Sequence, residues 1–168
     1  MDLQQIFILI IGLSIAGGFA FGGIAQFSGI TGGGGSNNQQ QEFNATLPSQ
    51  NYMESSYSLS AREQRVLAVQ NDIVFVNSFY SNQSQFEDMK QLESVPQDFG
   101  NRVYVNLVNS SSTNDVLYNY GITEFPKAVV IGGSRQGVTT VSNVSTSTIS
   151  SSACKVFATL GDQAANCL

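Results

Sequence analysis

Histidine is absent from this chain. Its absence removes the commonest general base and the commonest metal ligand, and with them Ser/His triads, Cys/His proteases and His-containing zinc sites. Charge is scarce as well: the 168 residues hold 7 Lys and Arg against 12 Asp and Glu, a charged fraction of 11% and a formal net charge of −5. An acidic chain without a basic run repels phosphate backbones, so nucleic acid is not an expected partner. Cysteine occurs only as Cys154 and Cys167, at a spacing that matches neither a metal nor a redox motif. No metal site and no cofactor is expected. In place of charge, Ser, Thr, Asn and Gln supply the surface, a composition common on the outside of cells.

The first part of the chain lacks charge altogether. From Leu3 to Gln41 there is no charged residue, and from Ile6 to about Ile30 the sequence is almost wholly apolar. About 20 helical residues cross a bilayer core of roughly 30 Å, so Ile6 to Ala25 suffices for a single transmembrane helix. A cleaved secretory signal is the rival, with small residues at Gly23-Ile24-Ala25. Against it, the leader has no Lys or Arg, and its apolar core exceeds the usual length of roughly 7 to 15 residues. An uncleaved anchor over 1–30, in contact with lipid through residues 6–30, is therefore expected. Ser14, Gly18 and Gly22 recur every fourth position with Gln26 one step further, and such a face favours helix association in lipid. Glycine is also simply frequent in membrane helices. Both readings stay open, and with them self-association or a protein partner.

A linker follows over 31–51, opening with Thr31-Gly32-Gly33-Gly34-Gly35-Ser36. It lacks the Gly-Lys-Ser/Thr ending of a phosphate loop, so nucleotide binding is not supported. Gly/Ser chains are flexible spacers. The folded domain is expected over 52–168. Ser60-Ala61-Arg62-Glu63 is a capping box that opens a helix to about Gln70. Then come a strand Ile73 to Phe79, a helix from Ser84 to Val95, and a strand Arg102 to Val108. A short helix Asn114 to Tyr120 follows, then strands Ala128 to Ile131 and Val138 to Val144, and a last helix Ser152 to Leu160. Continuous apolar strands flanked by helices are what a sheet buried on both faces requires.

Two segments stand out in that order. Ile73-Val74-Phe75-Val76-Asn77-Ser78-Phe79-Tyr80-Ser81 is an apolar strand running into a polar turn. Tyr120-Gly121-Ile122-Thr123-Glu124-Phe125-Pro126 leads into another buried strand. Together they resemble a thioredoxin domain over about residues 60 to 160. The resemblance implies an α/β fold, a thioredoxin-like three-layer sandwich preceded here by the N-terminal transmembrane helix. It also implies a cis-proline at Pro126 facing the end of the first strand. In that family the strand ends in an aromatic pair followed by Cys-x-x-Cys. With Phe79-Tyr80-Ser81 laid on the usual form, the attacking cysteine falls on Ser84 and the resolving one on Glu87. A serine hydroxyl cannot exchange disulfides, because that chemistry requires a thiolate attacking sulfur.

Three readings of this loop remain: a relic turn that caps a helix, a peptide-binding groove, and enzymatic use of Ser84 or Glu87. The groove, implied by the resemblance, would be lined by Tyr80, Phe86, Phe125 and Pro126 and would take an extended backbone by strand addition. Phe125 partly fills it. The enzymatic reading has no base for the serine. A disulfide between Cys154 and Cys167 would pin the C-terminal tail to the last helix and place the domain outside the cytoplasm, and a pair of buried free thiols is the alternative. Asn44-Ala45-Thr46, Asn82-Gln83-Ser84, Asn109-Ser110-Ser111 and Asn143-Val144-Ser145 are glycosylation sequons.

The expectation is a single-pass, cell-membrane-anchored protein whose C-terminal domain lies outside the cytoplasm and binds without redox activity or other catalysis. The alternative is a structural subunit of a surface filament or coat, assembled through the apolar helix. The chain lacks the basic prepilin cleavage site of pilins and archaellins, which weighs against that alternative. A thiol-disulfide oxidoreductase is contradicted at both cysteine positions.

Overall fold

The computed structural model describes residues 44–159 and Cys167, which fall in one compact unit, Glu42–Leu168. The expected anchor over 1–30 lies outside the described residues, as does the linker up to residue 43. Among the described residues no helix is long and apolar enough to cross a membrane. The remainder of the expected linker packs on the domain: Ala45 and Leu47 lie half-buried against the core, and the Asn51 carbonyl accepts from the Val105 N–H at 2.7 Å.

Five strands form one mixed sheet in the order β1-β3-β2-β4-β5. They are β1 (Tyr52–Met53), β2 (Val74–Tyr80), β3 (Val103–Asn109), β4 (Lys127–Ile131) and β5 (Val138–Val141). β1, β3 and β2 run parallel, while β4 and β5 are antiparallel additions. The parallel central strands read as continuous apolar runs because both faces of the sheet are covered. On one face Val74, Val76, Val105 and Leu107 pack with Met89, Leu92, Phe99, Ile149 and Val156. On the other, Phe75, Phe79, Val108 and Val129 pack with Leu67, Ala68 and Val116. The alternation of side chains along each strand sends neighbours to opposite cores. This is the expected α/β three-layer order, and the fold is thioredoxin-like.

The helices differ from their expected spans in instructive ways. α1 (Ala61–Asn71) carries the expected capping box, with Ser60 and Glu63 each bonding the other's backbone N–H. The second helical run starts earlier than Ser84 and continues past Val95. It comprises α2 (Gln83–Met89), a 3-10 helix (Lys90–Ser94) and α3 (Val95–Asp98). Pro96 is the cause of the break, since it has no N–H to give the Leu92 carbonyl, which the Val95 N–H takes instead. α4 (Asp115–Asn119) is capped by Asn114. β5 ends at Val141 rather than at Val144.

The last helix, α5 (Thr146–Val156), begins six residues before the expected Ser152 and stops short of Leu160. Ser145 and Thr148 form its capping box, and Ile149, Ser152, Ala153 and Val156 make its buried face. It ends where Ser134 N–H donates to the Val156 carbonyl at 2.8 Å and Phe157 turns extended to stack on Phe99, with ring centroids 5.7 Å apart. Gly132 lies under this junction, and a Cβ there would collide with the Val156 carbonyl.

Candidate functional site

The turn after β2 is built around two polar side chains. Asn82 is the N-cap of α2, its side-chain oxygen accepting from the Gln85 N–H at 3.0 Å. Gln85 then folds back across the end of the strand. Its Oε1 accepts from the Ser81 N–H (2.9 Å) and from the Ser81 hydroxyl (3.1 Å), and its Nε2 donates to the Phe125 carbonyl (3.3 Å). One side chain thus ties the turn to the segment before Pro126, whose peptide bond with Phe125 is cis. No motif marked Gln85 in the sequence.

Ser84 and Glu87 sit on α2, both exposed. Ser84 lies in the first turn, and its hydroxyl forms no hydrogen bond among the described residues. Glu87 is paired with Lys90 at 3.1 Å and accepts from Gln83 Nε2 at 2.6 Å. Hydrogen bonds from Lys90 and Gln83 hold its carboxyl below the usual carboxylate range. An ionised, exposed carboxylate engaged by two neighbouring donors, Gln83 and Lys90, is poorly placed for proton transfer at a buried reaction centre.

Of the four residues expected to line a groove, the three aromatic ones divide between the two faces of the sheet. Tyr80 and Phe86 pack together, ring centroids 5.0 Å apart, against the core under α2, and the Lys90 ammonium lies 4.7 Å from the Phe86 ring centre. Phe125 is half-buried against the opposite core, and Pro126 is exposed. The Phe125 carbonyl already accepts a bond from Gln85. A shallow cleft of about 440 Å³ lies elsewhere, between β5 and α5, walled by hydroxyl residues such as Thr139, Ser147 and Ser151 with Lys155 at its rim.

Beneath the turn, the strand carries polar groups that sequence reading did not single out. Asn77 Nδ2 donates to Gln64 Oε1 at 2.8 Å, and Gln64 Nε2 returns a bond to Asn77 Oδ1 at 3.3 Å. In the amide orientation that satisfies both its ends, Asn106 donates to the Val76 carbonyl and to Asn77 and accepts from the Tyr57 N–H. These three side chains are fully enclosed, and the network links α1 to the two central strands. Ser78, on the opposite face of β2, keeps a buried hydroxyl that has no hydrogen-bond partner among the described residues.

Cys154 and Cys167 are joined to each other, with Cα atoms 5.6 Å apart, and both are packed on the core between α5 and the sheet. Neither belongs to the turn after β2. Of the sequon asparagines, Asn44, Asn82 and Asn143 are exposed and Asn109 is half-buried. The helix-packing residues Ser14, Gly18, Gly22 and Gln26 lie outside the described residues. No group of His, Cys, Asp and Glu that could hold a metal occurs among the described residues.

No protein-family model matches this chain, and no curated protein matches it significantly by sequence. Among solved structures, it is similar to the thioredoxin of Fasciola hepatica, at 14% identity over 64% of this chain and 99% of that one, with a TM-score of 0.46. It is also similar to the thioredoxin of Malassezia sympodialis, at 15% identity over 67% and 97% of the two chains, with a TM-score of 0.46. For mitochondrial thioredoxin 3 of Saccharomyces cerevisiae the figures are 18%, 62% and 93%, and 0.45. Strand order and helix placement, rather than these likenesses, make the fold thioredoxin-like.

Proposed function

We propose that this chain is a membrane-anchored, extracytoplasmic thioredoxin-like module that acts by binding, as an accessory or chaperone-like member of a surface complex, and that it does not exchange disulfides. One observation carries the reading: the turn that would need a thiol pair presents Ser84 and Glu87 on an exposed helix. Meanwhile both cysteines of the chain are bonded to each other at α5. Disulfide exchange needs a thiolate, and this turn has none to offer. The apolar run over residues 6–30 supports the anchor, and the Cys154–Cys167 bond favours an oxidising compartment.

The purified full-length chain, given a disulfide substrate and a dithiol reductant, is expected to show no turnover above the reductant alone. Turnover that disappears in the Cys154→Ser variant would overturn the reading. The binding role is tested by extracting the protein from its native membrane in mild detergent and measuring the mass and composition of the particle. A defined assembly with other proteins is expected. A large particle made of this chain alone would replace the accessory reading with that of a structural subunit.

A further inference from the structure

Three of the four sequons converge on one end of the sheet. β2 and β3 run parallel and finish together, Tyr80 opposite Asn109, so Asn82 follows the end of one strand and Asn109 is the last residue of the other. β5 runs antiparallel to β4, which runs antiparallel to β2. Val141 lies opposite Ala128, and Ala128 opposite Ser78, so β5 finishes at the same end and Asn143 follows it. The cis-proline turn and the Gln85 bridge sit there too.

The three sequon asparagines at this end differ from the asparagines that precede the strands at the other. At the opposite end, Asn51, Asn71 and Asn101 precede β1, β2 and β3, and none has a Ser or Thr two residues on. Asn51 Nδ2 donates to the Asn101 carbonyl at 2.7 Å and Asn71 Nδ2 to the Leu67 carbonyl at 3.0 Å, so these amides hold backbone. Among the described residues, the amide nitrogens of the three sequon asparagines donate no hydrogen bond. Asn82 and Asn109 engage only their side-chain oxygens, from Gln85 N–H in one case and from the N–H and hydroxyl of Ser111 in the other. Asn143 contributes only its backbone carbonyl, to the Thr148 hydroxyl. A glycan attaches through Nδ2, so a side chain held by its oxygen alone can accept one without losing its structural bond.

We propose that Asn82, Asn109 and Asn143 are N-glycosylated and that together they form a sugar cover over the end of the sheet where thioredoxins do their chemistry. This inference rests on the extracytoplasmic placement of the domain proposed above. The donor is a polyprenyl-phosphate-linked oligosaccharide presented by a membrane transferase. The bond between the anomeric carbon and the carrier phosphate oxygen breaks, the carrier phosphate leaves with the electron pair, and a carbon–nitrogen bond forms to Nδ2, which gives up one proton to the transferase base. Bulky glycans at three rims of the turn would exclude a client strand from the Gln85–Phe125 end.

The test uses the full chain purified from its native cells, with proteolytic peptides mapped by mass spectrometry before and after removal of N-linked sugar. Intact cells are treated in parallel with a membrane-impermeant amine reagent. Labelling of the domain on intact cells, with sugar on the peptides carrying Asn82, Asn109 and Asn143, is the expected result. Labelling with those three asparagines bare, or with sugar on Asn44 alone, overturns the inference and leaves the placement standing. No labelling and no sugar overturns both. Asn82→Gln, Asn109→Gln and Asn143→Gln should each remove one step of electrophoretic mobility shift, and an unshifted variant overturns the assignment at that site.

Discussion

Gln85 decides what the turn after β2 can do. Its side chain accepts two bonds from Ser81 and gives one to the Phe125 carbonyl, so the backbone group that a bound strand would seek is already engaged. Replacing Gln85 by Ala removes all three bonds from a partly exposed site, with an expected cost of about 1 kcal/mol. The clearer readout is local. Hydrogen exchange of the Ser81 amide should quicken several-fold in Gln85→Ala while the amides of Val76 and Val105 in the central strands keep their protection. Unchanged exchange at Ser81 would mean that the bridge does not hold the turn. The sequence marked this region through its aromatic pair and its proline, yet it gave no weight to Gln85. An amide one turn into a helix has no periodicity and no spacing rule, and its partner lies 40 residues away. Asn82 was legible as a sequon but not as the cap, because Ser84 competes for that role on composition alone.

At the scale of elements, legibility followed the capping chemistry. The Ser60–Glu63 box has the residue types that sequence rules recognise, and α1 starts where they place it. The α5 box uses Thr148 where Glu or Gln is usual, and the surrounding serines and threonines read as loop, so the residue pattern places the start of that helix too late. Its four buried positions, Ile149, Ser152, Ala153 and Val156, have helical spacing, but two of them are small or polar and give little apolar signal. β1 has two residues, too few for any alternation to register. The charge in the first box has a pH consequence that the second lacks. Bonds from the Ser60 backbone and hydroxyl lower the Glu63 carboxyl pKa below its ordinary value of 4.5. The stability it adds is therefore present above that value and lost as pH falls through the lowered one. Thermal denaturation should show Ser60→Ala less stable than the parent by about 1 kcal/mol at neutral pH, with the gap narrowing in acid. A gap that stays constant down to pH values below the Glu63 titration would show that the bond from the Ser60 hydroxyl to the carboxylate adds no stability, since the backbone N–H of residue 60 still donates to Glu63 in the variant.

For the whole molecule, the order of strands and helices is readable because apolar runs and breakers alternate cleanly from Ile73 to Ile131, whereas the C-terminal end is closed by contacts between residues far apart in the chain as well as by one covalent link. α5 rests on the sheet through a narrow face, and its end is held by Phe157 on Phe99 and by the Ser134 bond to the Val156 carbonyl. A second tether lies nearby. Arg102 pairs with Asp72 at 2.5 Å, stands over the Phe157 ring, and donates to the Thr159 carbonyl, while the Thr159 hydroxyl bonds Asp72. The Cys154–Cys167 bond adds a constraint of a different kind, since it acts mainly on the unfolded chain. With a sequence separation of 13, the closed loop is short. The loop-entropy estimate for it is about 3 kcal/mol. Reduction, or the Cys154→Ser/Cys167→Ser double variant, should therefore lower the Tm by roughly ten degrees for a domain of this size. Circular dichroism should show the folded domain retained at room temperature, because the Asp72–Arg102–Thr159 tether is intact and the two cysteines only flank the buried core. If the double variant melts at the parent temperature, the bond joins segments already constrained in the unfolded chain. If it is unfolded at room temperature, the link carries the C-terminal helix outright and the apolar face of α5 is too weak to dock alone.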